Sequence, residues 1–200
     1  MSGGVKLKNN QVGLTKSYIV EVAAELFAKN GYRATSLNDV ATILNVSKPA
    51  LYYHFKNKHE ILKSIFDQIM QIYLTKAQGI YNQQDQTSDK KLTQLIESHA
   101  MIVMDYKNLT TIFFTEKNEL EKEAFDELKI KISQYENYFK SVIDQGIEEK
   151  VIRSVPTKVF LMGIFGMTNW IYYWFEEKGT LSKEQIAKLY SSLLQNGYLL

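Results

Sequence analysis

Helix-breaking residues are scarce in this chain, and that scarcity constrains its fold more than any other feature. Only two prolines and ten glycines occur in 200 residues. Apolar residues recur at alternating spacings of three and four, as on one face of an α-helix, which leaves no room for strands. The sequence therefore predicts an all-α protein, with helices at about 15–30, a short one capped by Ser36, then 48–54, 58–81, 89–106, 108–116, 119–149, 156–176 and 183–197.

Charge is unevenly distributed along the chain. The formal net charge is +2, but residues 1–60 hold eight Lys or Arg against four Asp or Glu, and the remainder is slightly acidic. A basic first third suits a head that binds a polyanion, attached to a body with another role. The first 14 residues lack an apolar signal core, and we interpret them as a flexible basic arm.

Composition excludes several classes of protein. The chain has no cysteine, so disulfides, thiolate catalysis and zinc fingers are excluded, and a reducing compartment is expected. The apolar run 159–175 has 17 uncharged residues, short of the ~20 that a membrane span needs, and Asn169 interrupts it. We expect a cytoplasmic protein without a membrane anchor.

The segment Ser36–Lys58 (SLNDVATILNVSKPALYYHFKNK) is the most informative stretch for function. It predicts two short helices around a tight turn at Asn45, followed by an aromatic and basic run that begins another helix. In a helix–turn–helix the first helix braces on the DNA backbone while the second lies in the major groove. The closing run YYHFKNK suits contact with phosphates, so the segment predicts DNA binding.

Residues 15–62, above all FAKNGYRATSLNDVATILNVSKPALYYHFKNKHEIL, resemble the DNA-binding head of the TetR family of one-component bacterial regulators. The shared features are F-x-x-x-G-Y at the end of a helix, a serine opening the second helix, an L-x-V-S turn, and L-Y-Y-H-F-x-N-K leading into the fourth helix. The resemblance implies an all-α homodimer of about nine helices that binds a palindromic operator and releases it on binding a small ligand. We therefore divide the chain into the arm (1–14), a helix–turn–helix domain (15–60) and a ligand-binding and dimerisation domain (61–200).

The resemblance also assigns individual residues of the head. Ser47, Lys48, Pro49 and Ala50 occupy base-facing positions, with Lys48 best able to reach a guanine edge. Phosphate-contacting positions fall on Tyr52, Tyr53, His54 and Lys58, joined by Ser36 at the start of the second helix.

Simpler roles stay open for some of these side chains. Tyr52 is alternatively a core aromatic with an exposed hydroxyl, His54 packs under Tyr53, and Lys56 is an ordinary solvated lysine. Lys58 at a helix N-terminus opposes the helix dipole, an unfavourable placement that a DNA phosphate would relieve.

The C-terminal helices carry the implied dimer contact. In TetR-like proteins the last two long helices of each subunit form a four-helix bundle, and segments 156–176 and 183–197 match that role. We expect a homodimer there, with close-packing or interface positions at Phe160, Gly163, Gly166 and Met167.

The stretch GIFGMTNWIYYWFEEKGTLSKEQIAKLYSSLLQNGY further resembles TetR-type repressors of fatty-acid and other acyl-CoA degradation, through G-x-x-N-W-x-x-x-W and L-S-x-E-Q-I-A. The implied effector is an acyl-CoA thioester with its apolar tail between helices. Arg153 is the one arginine of the body, so the CoA phosphates would depend largely on lysines. Side chains that could line such a tunnel are Phe113, Phe114, Tyr135, Tyr138, Phe139, Asn169, Trp170 and Tyr173.

Other interpretations remain at this stage. Within the family, a multidrug sensor that controls an efflux pump is the alternative; from another class, a DNA-tethered module would respond to a protein partner. Aromatic side chains at helical spacing also serve simply as core. The sequence contains no recognisable catalytic set, so we expect neither an enzyme nor a cofactor or metal. His99 and Asp105 suggest a polar anchor at most, and a satisfied buried histidine is the simpler interpretation.

Overall fold

The computed structural model describes residues 14–198, and within that range it contains helices and no strand. The all-α prediction is confirmed. The predicted basic arm, apart from Leu14, lies outside the described residues. The helices are α1 (Lys16–Asn30), α2 (Leu37–Leu44), α3 (Lys48–His54), α4 (Lys58–Tyr81), α5 (Ser88–Asp105), α6 (Lys107–Thr115), α7 (Lys122–Glu148), α8 (Thr157–Asn169), α9 (Ile171–Trp174) and α10 (Lys183–Tyr198).

Local capping sets the limits of the first helices. Helix α1 ends at Asn30 and is followed by Gly31, whose φ of 87° lies in the region that glycine tolerates. Ser36 caps α2 as predicted, and it does so in a capping box with Asp39. Asn45 then turns the chain with a φ of 54°, and the hydroxyl of Ser47 caps α3 by accepting the N–H of Ala50 at 3.3 Å. These four signals shape the helix–turn–helix.

The described chain divides into two compact units, with the boundary between Ile61 and Leu62 inside α4. In the first unit, α1, α2 and α3 pack around a small apolar core. In the second, α5 is central and contacts α6, α7, α8, α9 and α10. The buried core of the first unit includes Ile19, Ala23, Phe27, Tyr32, Val40, Leu51 and Phe55.

Two helix predictions need correction. The helix expected over 119–149 begins at Lys122, because residues 117–119 form a separate 3-10 turn. The helix expected over 156–176 is broken at Trp170 and ends at Trp174. No proline marks the break. At the break the N–H of Tyr173 donates to the carbonyl of Trp170, three residues back, at 3.1 Å, so the chain tightens there. Among the described residues, no helix is long and apolar enough to cross a membrane.

Candidate DNA interface and effector site

Helix α3 is anchored on one side and bare on the other. Leu51 and Phe55 are buried and hold it to the first unit. Of the four predicted base-facing residues, Ser47, Lys48 and Pro49 are exposed and Ala50 is half-buried. This geometry leaves the N-terminal turn of α3 free to enter a groove, as the helix–turn–helix prediction requires.

The aromatic run at the end of α3 is similarly available. Tyr53 is 86% exposed and Tyr52 49% exposed. The ring of His54 packs edge-on against Tyr53, with centroids 5.2 Å apart, so the packing role foreseen for His54 is present. A tyrosine as bare as Tyr53 contributes little to the core of the unit. Its position suits an external partner better.

Ser36 is less ready for a phosphate than the sequence suggested. Its backbone N–H and its hydroxyl both donate to Oδ2 of Asp39, each at 2.7 Å. These hydrogen bonds from the Ser36 backbone and side chain lower the pKa of the Asp39 carboxyl. A carboxylate therefore occupies the N-terminus of α2, and Ser36 must leave it before contacting DNA.

Lys58 has a set of partners that the sequence did not reveal. Its ammonium donates to the backbone carbonyls of Tyr32 at 2.6 Å and Thr35 at 2.9 Å, and lies 4.1 Å from the centre of the Tyr32 ring. The hydroxyl of Tyr32 in turn contacts Nδ1 of His59 at 3.1 Å. The carbonyls of the α1–α2 turn thus already relieve the unfavourable placement of this lysine. The helix-dipole argument therefore no longer supports a phosphate contact by Lys58, and that contact stays a prediction.

Lys56 is the residue that sequence reasoning undervalued. It is exposed, and its ammonium makes no hydrogen bond or ion pair within the described part of the chain. With Tyr52 and Asn57 it lines a surface hollow of about 410 Å³ beside the start of α2. The sequence signal that could have identified Lys56 is its position four residues after Tyr52. The two side chains line the same hollow.

The predicted effector residues do not form one lining. Tyr135, Phe139 and Asn169 meet in the interior of the second unit. Phe113 and Phe114 pack with Phe66 and Tyr172, whereas Tyr138 packs against Tyr81 beside a polar groove.

Trp170 and Tyr173 lie on the outside of the second unit, and their contact with an effector stays a prediction. They stack on each other at 4.7 Å and are 56% and 68% exposed. Ile171 takes the buried position of that turn. Residues three apart share a helix face, so both aromatic rings fall on the outside.

Around His99 lies an interior aromatic cluster made of Tyr73, His99, Tyr135, Phe139 and Phe165. The His99 ring stacks on Tyr73 at 5.1 Å and packs on Phe165 at 5.1 Å. Its Nδ1 lies 2.9 Å from the Tyr135 hydroxyl, and its Nε2 lies 2.7 Å from Oδ1 of Asn169. Burial lowers the pKa of His99 from 6.5 to about 4, despite the bond to Asn169. His99 is therefore the neutral, satisfied histidine that the simpler interpretation expected. No group of three or more metal-ligating side chains occurs within residues 14–198.

An apolar face runs along the outer sides of the last helices. Val159 is 70% exposed and Leu193 63% exposed. Gly163 and Gly166, two of the predicted close-packing residues, lie on the exposed side of α8 with open space around them. A face of this kind marks a protein contact. Its other members are Met162, Met167, Trp170, Tyr173, Trp174 and Leu189.

Fold and site together define a DNA-binding regulator: a helix–turn–helix head on a helical body with an aromatic interior. Comparison with known families agrees. Residues 19–65 match the family described as "Bacterial regulatory proteins, tetR family". Residues 85–198 match the family described as "Tetracyclin repressor-like, C-terminal domain".

Individual relatives are similar over most of the chain. The HTH-type transcriptional repressor KstR2 of Mycobacterium tuberculosis is 23% identical over 191 residues, covering 94% of both chains. Its solved structure gives a TM-score of 0.87 at 22% identity, covering 95% of this chain and 97% of that one. The fatty acid metabolism regulator protein of Bacillus subtilis is 24% identical, covering 76% of this chain and 81% of its own. AibR, solved in complex with isovaleryl coenzyme A and operator DNA, gives a TM-score of 0.80 at 25% identity, covering 89% and 96%.

The chain belongs to the TetR family of bacterial transcriptional regulators. It is a ligand-responsive DNA-binding repressor of the TetR type, and members of this family bind operator DNA as dimers.

The partners of Lys58 predict an unusual salt dependence for its variants. Lys58→Met should weaken binding to every DNA sequence by loosening the α1–α2 turn, but leave the slope of log affinity against log salt unchanged. Lys56→Met is the matched control, and it should lower that slope by about one because each phosphate contact releases about one counterion. Fluorescence anisotropy at several salt concentrations measures both. An equal drop in slope for Lys58→Met would show that its ammonium contacts phosphate after all.

Burial of His99 predicts a loss of stability in acid. An unfolded histidine takes up a proton near pH 6.5, whereas folded His99 does so only near pH 4. The free energy of unfolding should therefore fall between those two values by about 3 kcal/mol, then stop falling on this account. Tyr73 and Tyr135, which face the ring, stay neutral in this range because burial raises the pKa of each.

Urea denaturation between pH 4 and 7 measures this loss. His99→Gln lacks the titrating ring, so its stability should decline less steeply than that of the wild type in the same interval. Parallel declines for the two proteins would contradict the role given to His99.

Proposed function

We propose that the dimer binds a palindromic operator through α3 of each head and releases it when a compound of the acyl-CoA class enters the body. The repressor acts in the cytoplasm, where bacterial DNA lies, and has no catalytic activity of its own. The observation that carries the effector class is the similarity to AibR, which was solved with isovaleryl coenzyme A and operator DNA.

On the DNA side, the exposed N-terminal turn of α3 supports base contacts by Ser47, Lys48, Pro49 and Ala50. Lys48 has the reach and charge for a guanine edge. Tyr52, Tyr53, His54 and Lys56 then bind phosphates on either side, with Ser36 joining once it leaves Asp39. These contacts fix the position of the head, while the α3 turn supplies sequence preference.

Within the body, the interior aromatic cluster supports an apolar effector. Phe139 is fully buried, and Tyr135 and Tyr73 are nearly so. Asn169 adds a polar group at the edge of these rings. Binding sites for small molecules are commonly built this way, with apolar walls and few polar groups. Phe113 and Phe114 provide a second aromatic surface near Tyr172 for a longer chain.

A cationic drug fits this interior less well than an acyl chain. The cluster around His99 contains no carboxylate, and burial keeps the histidine neutral. A buried cation needs an opposite charge or strong hydrogen-bond acceptors to offset its lost hydration. The cluster around His99 therefore lacks the carboxylate that a site for cationic drugs would need.

An effector panel tests the proposal. We expect acyl-CoAs of a preferred chain length to release operator DNA and to raise the melting temperature of the free protein, since they bind the folded state alone. Operator affinity should drop by about 5- to 150-fold at saturation, the usual range of allosteric coupling. The operator is first located by footprinting genomic fragments, and release is then followed by fluorescence anisotropy.

The same panel includes free CoA, cationic dyes and a bacterial lysate. Free CoA controls for the head group, and it should bind weakly because the body offers one arginine. Release by the dyes alone would favour a multidrug sensor. Release by a protein fraction alone would favour a protein partner, and either result would contradict the acyl-CoA proposal.

A further inference from the structure

A polar centre lies inside the aromatic cluster of the body. We define it as Tyr73 of α4, His99 of α5, Thr110 of α6, Tyr135 of α7 and Asn169 at the end of α8. Five successive helices each contribute one hydrogen-bonding side chain. Thr110 is fully buried and His99 is 4% exposed. Polar groups this deep are normally all hydrogen-bonded to protein.

The hydrogen bonds of His99 can be assigned. Oδ1 of Asn169 is an acceptor, so Nε2 of the neutral ring donates to it across 2.7 Å. Nδ1 is then an acceptor and receives the Tyr135 hydroxyl at 2.9 Å. Both nitrogens of His99 are used, and the ring carries no further capacity.

Other donors of the polar centre are unused. The hydroxyl of Thr110 is buried and makes no hydrogen bond. Burial raises the pKa of Tyr73, and the neighbouring Thr110 hydroxyl opposes that effect. The amide N–H groups of Asn169 have no partner within the described residues, since only its oxygen is bonded. The polar centre therefore has one buried donor to spare, the Thr110 hydroxyl, and a second in the half-buried amide of Asn169.

This arrangement selects a ligand by chemistry. Unused donors need an acceptor, which an oxygen of the ligand can supply. Nothing in the polar centre is charged, so a carboxylate would lose its hydration without an opposite charge. A neutral carbonyl oxygen on an apolar chain satisfies both conditions.

We propose that the polar centre binds the carbonyl oxygen of the effector, through the Thr110 hydroxyl and the Asn169 amide. For an acyl-CoA this is the thioester carbonyl, and the assignment of a thioester rests on the function proposed above. The bond would join the end of α8, which carries Asn169, to α6, which carries Thr110 beside Tyr73 of α4.

The test compares ligands that differ only in the carbonyl. Butanoyl-, octanoyl- and dodecanoyl-CoA are paired with their S-alkyl-CoA thioethers, which lack the oxygen, and 2-decanone supplies a carbonyl without CoA. Affinities are measured by calorimetry for the wild type, Thr110→Val and Thr168→Val. Thr168 is the matched control, because it is equally buried and its hydroxyl is bonded within its own helix.

For the wild type, the best acyl-CoA should bind about tenfold more tightly than its thioether, the effect of one well-placed hydrogen bond. Thr110→Val should bring the two ligands within about twofold of each other, whereas Thr168→Val should keep the difference. Thr110→Val removes an unbonded hydroxyl without changing side-chain volume much, so it should fold with at least wild-type melting temperature. Tyr73→Phe provides a second variant of the same centre.

Each other outcome is decisive. Equal affinity of thioester and thioether for the wild type would overturn the carbonyl contact and leave the acyl-CoA effector standing. A difference that survives in both Thr110→Val and Tyr73→Phe would also overturn it. Binding of 2-decanone alone, lost in Thr110→Val, would support the polar centre and refute the acyl-CoA effector. Binding of none of these ligands would refute both.

Discussion

The ammonium of Lys58 binds the backbone carbonyls of the α1–α2 turn, and the coupling that we propose between DNA and effector depends on this contact. It ties the DNA-binding helices to the first turn of α4. Helix α4 then continues without a break to Tyr81. Tyr73, in the part of α4 that belongs to the body, stacks on His99. One helix thus carries both the support of the head and a wall of the candidate effector site.

A ligand-responsive repressor needs two conformations for which the ligand has different affinities. An effector shifts the balance between them only by its difference in affinity for the two. In the described arrangement the body interior is closed around His99, whose bonds join α5 to α7 and α8. An acyl chain that enters must part some of these side chains. We expect that cost to fall on α4 and α8, which carry Tyr73 and Asn169.

Local chemistry made much of the fold predictable. The Ser36 cap of α2 and the glycine that follows α1 involve residues close in sequence, and the structure contains both. The limits of α3 could be predicted from the helix–turn–helix motif, because its residues are also close in sequence. Contacts between distant residues were not predictable. Lys58 finds its carbonyls 23 and 26 residues away, and His99 finds Tyr135 and Asn169 at separations of 36 and 70. The exposure of Trp170 and Tyr173 was not predictable either, because nothing in the sequence marks the break after α8.

The most direct measurement is the distance between the two heads of the dimer, with and without effector. The chain has no cysteine, so Glu25→Cys on the exposed side of α1 gives one spin label per protomer. Pulsed EPR on the operator complex should give a narrow distribution set by heads about one DNA turn, ~34–36 Å, apart. Saturating the free dimer with the effector should move the distribution away from that value by several ångströms. The same distribution with and without bound effector would contradict the claim that the ligand acts by moving the heads.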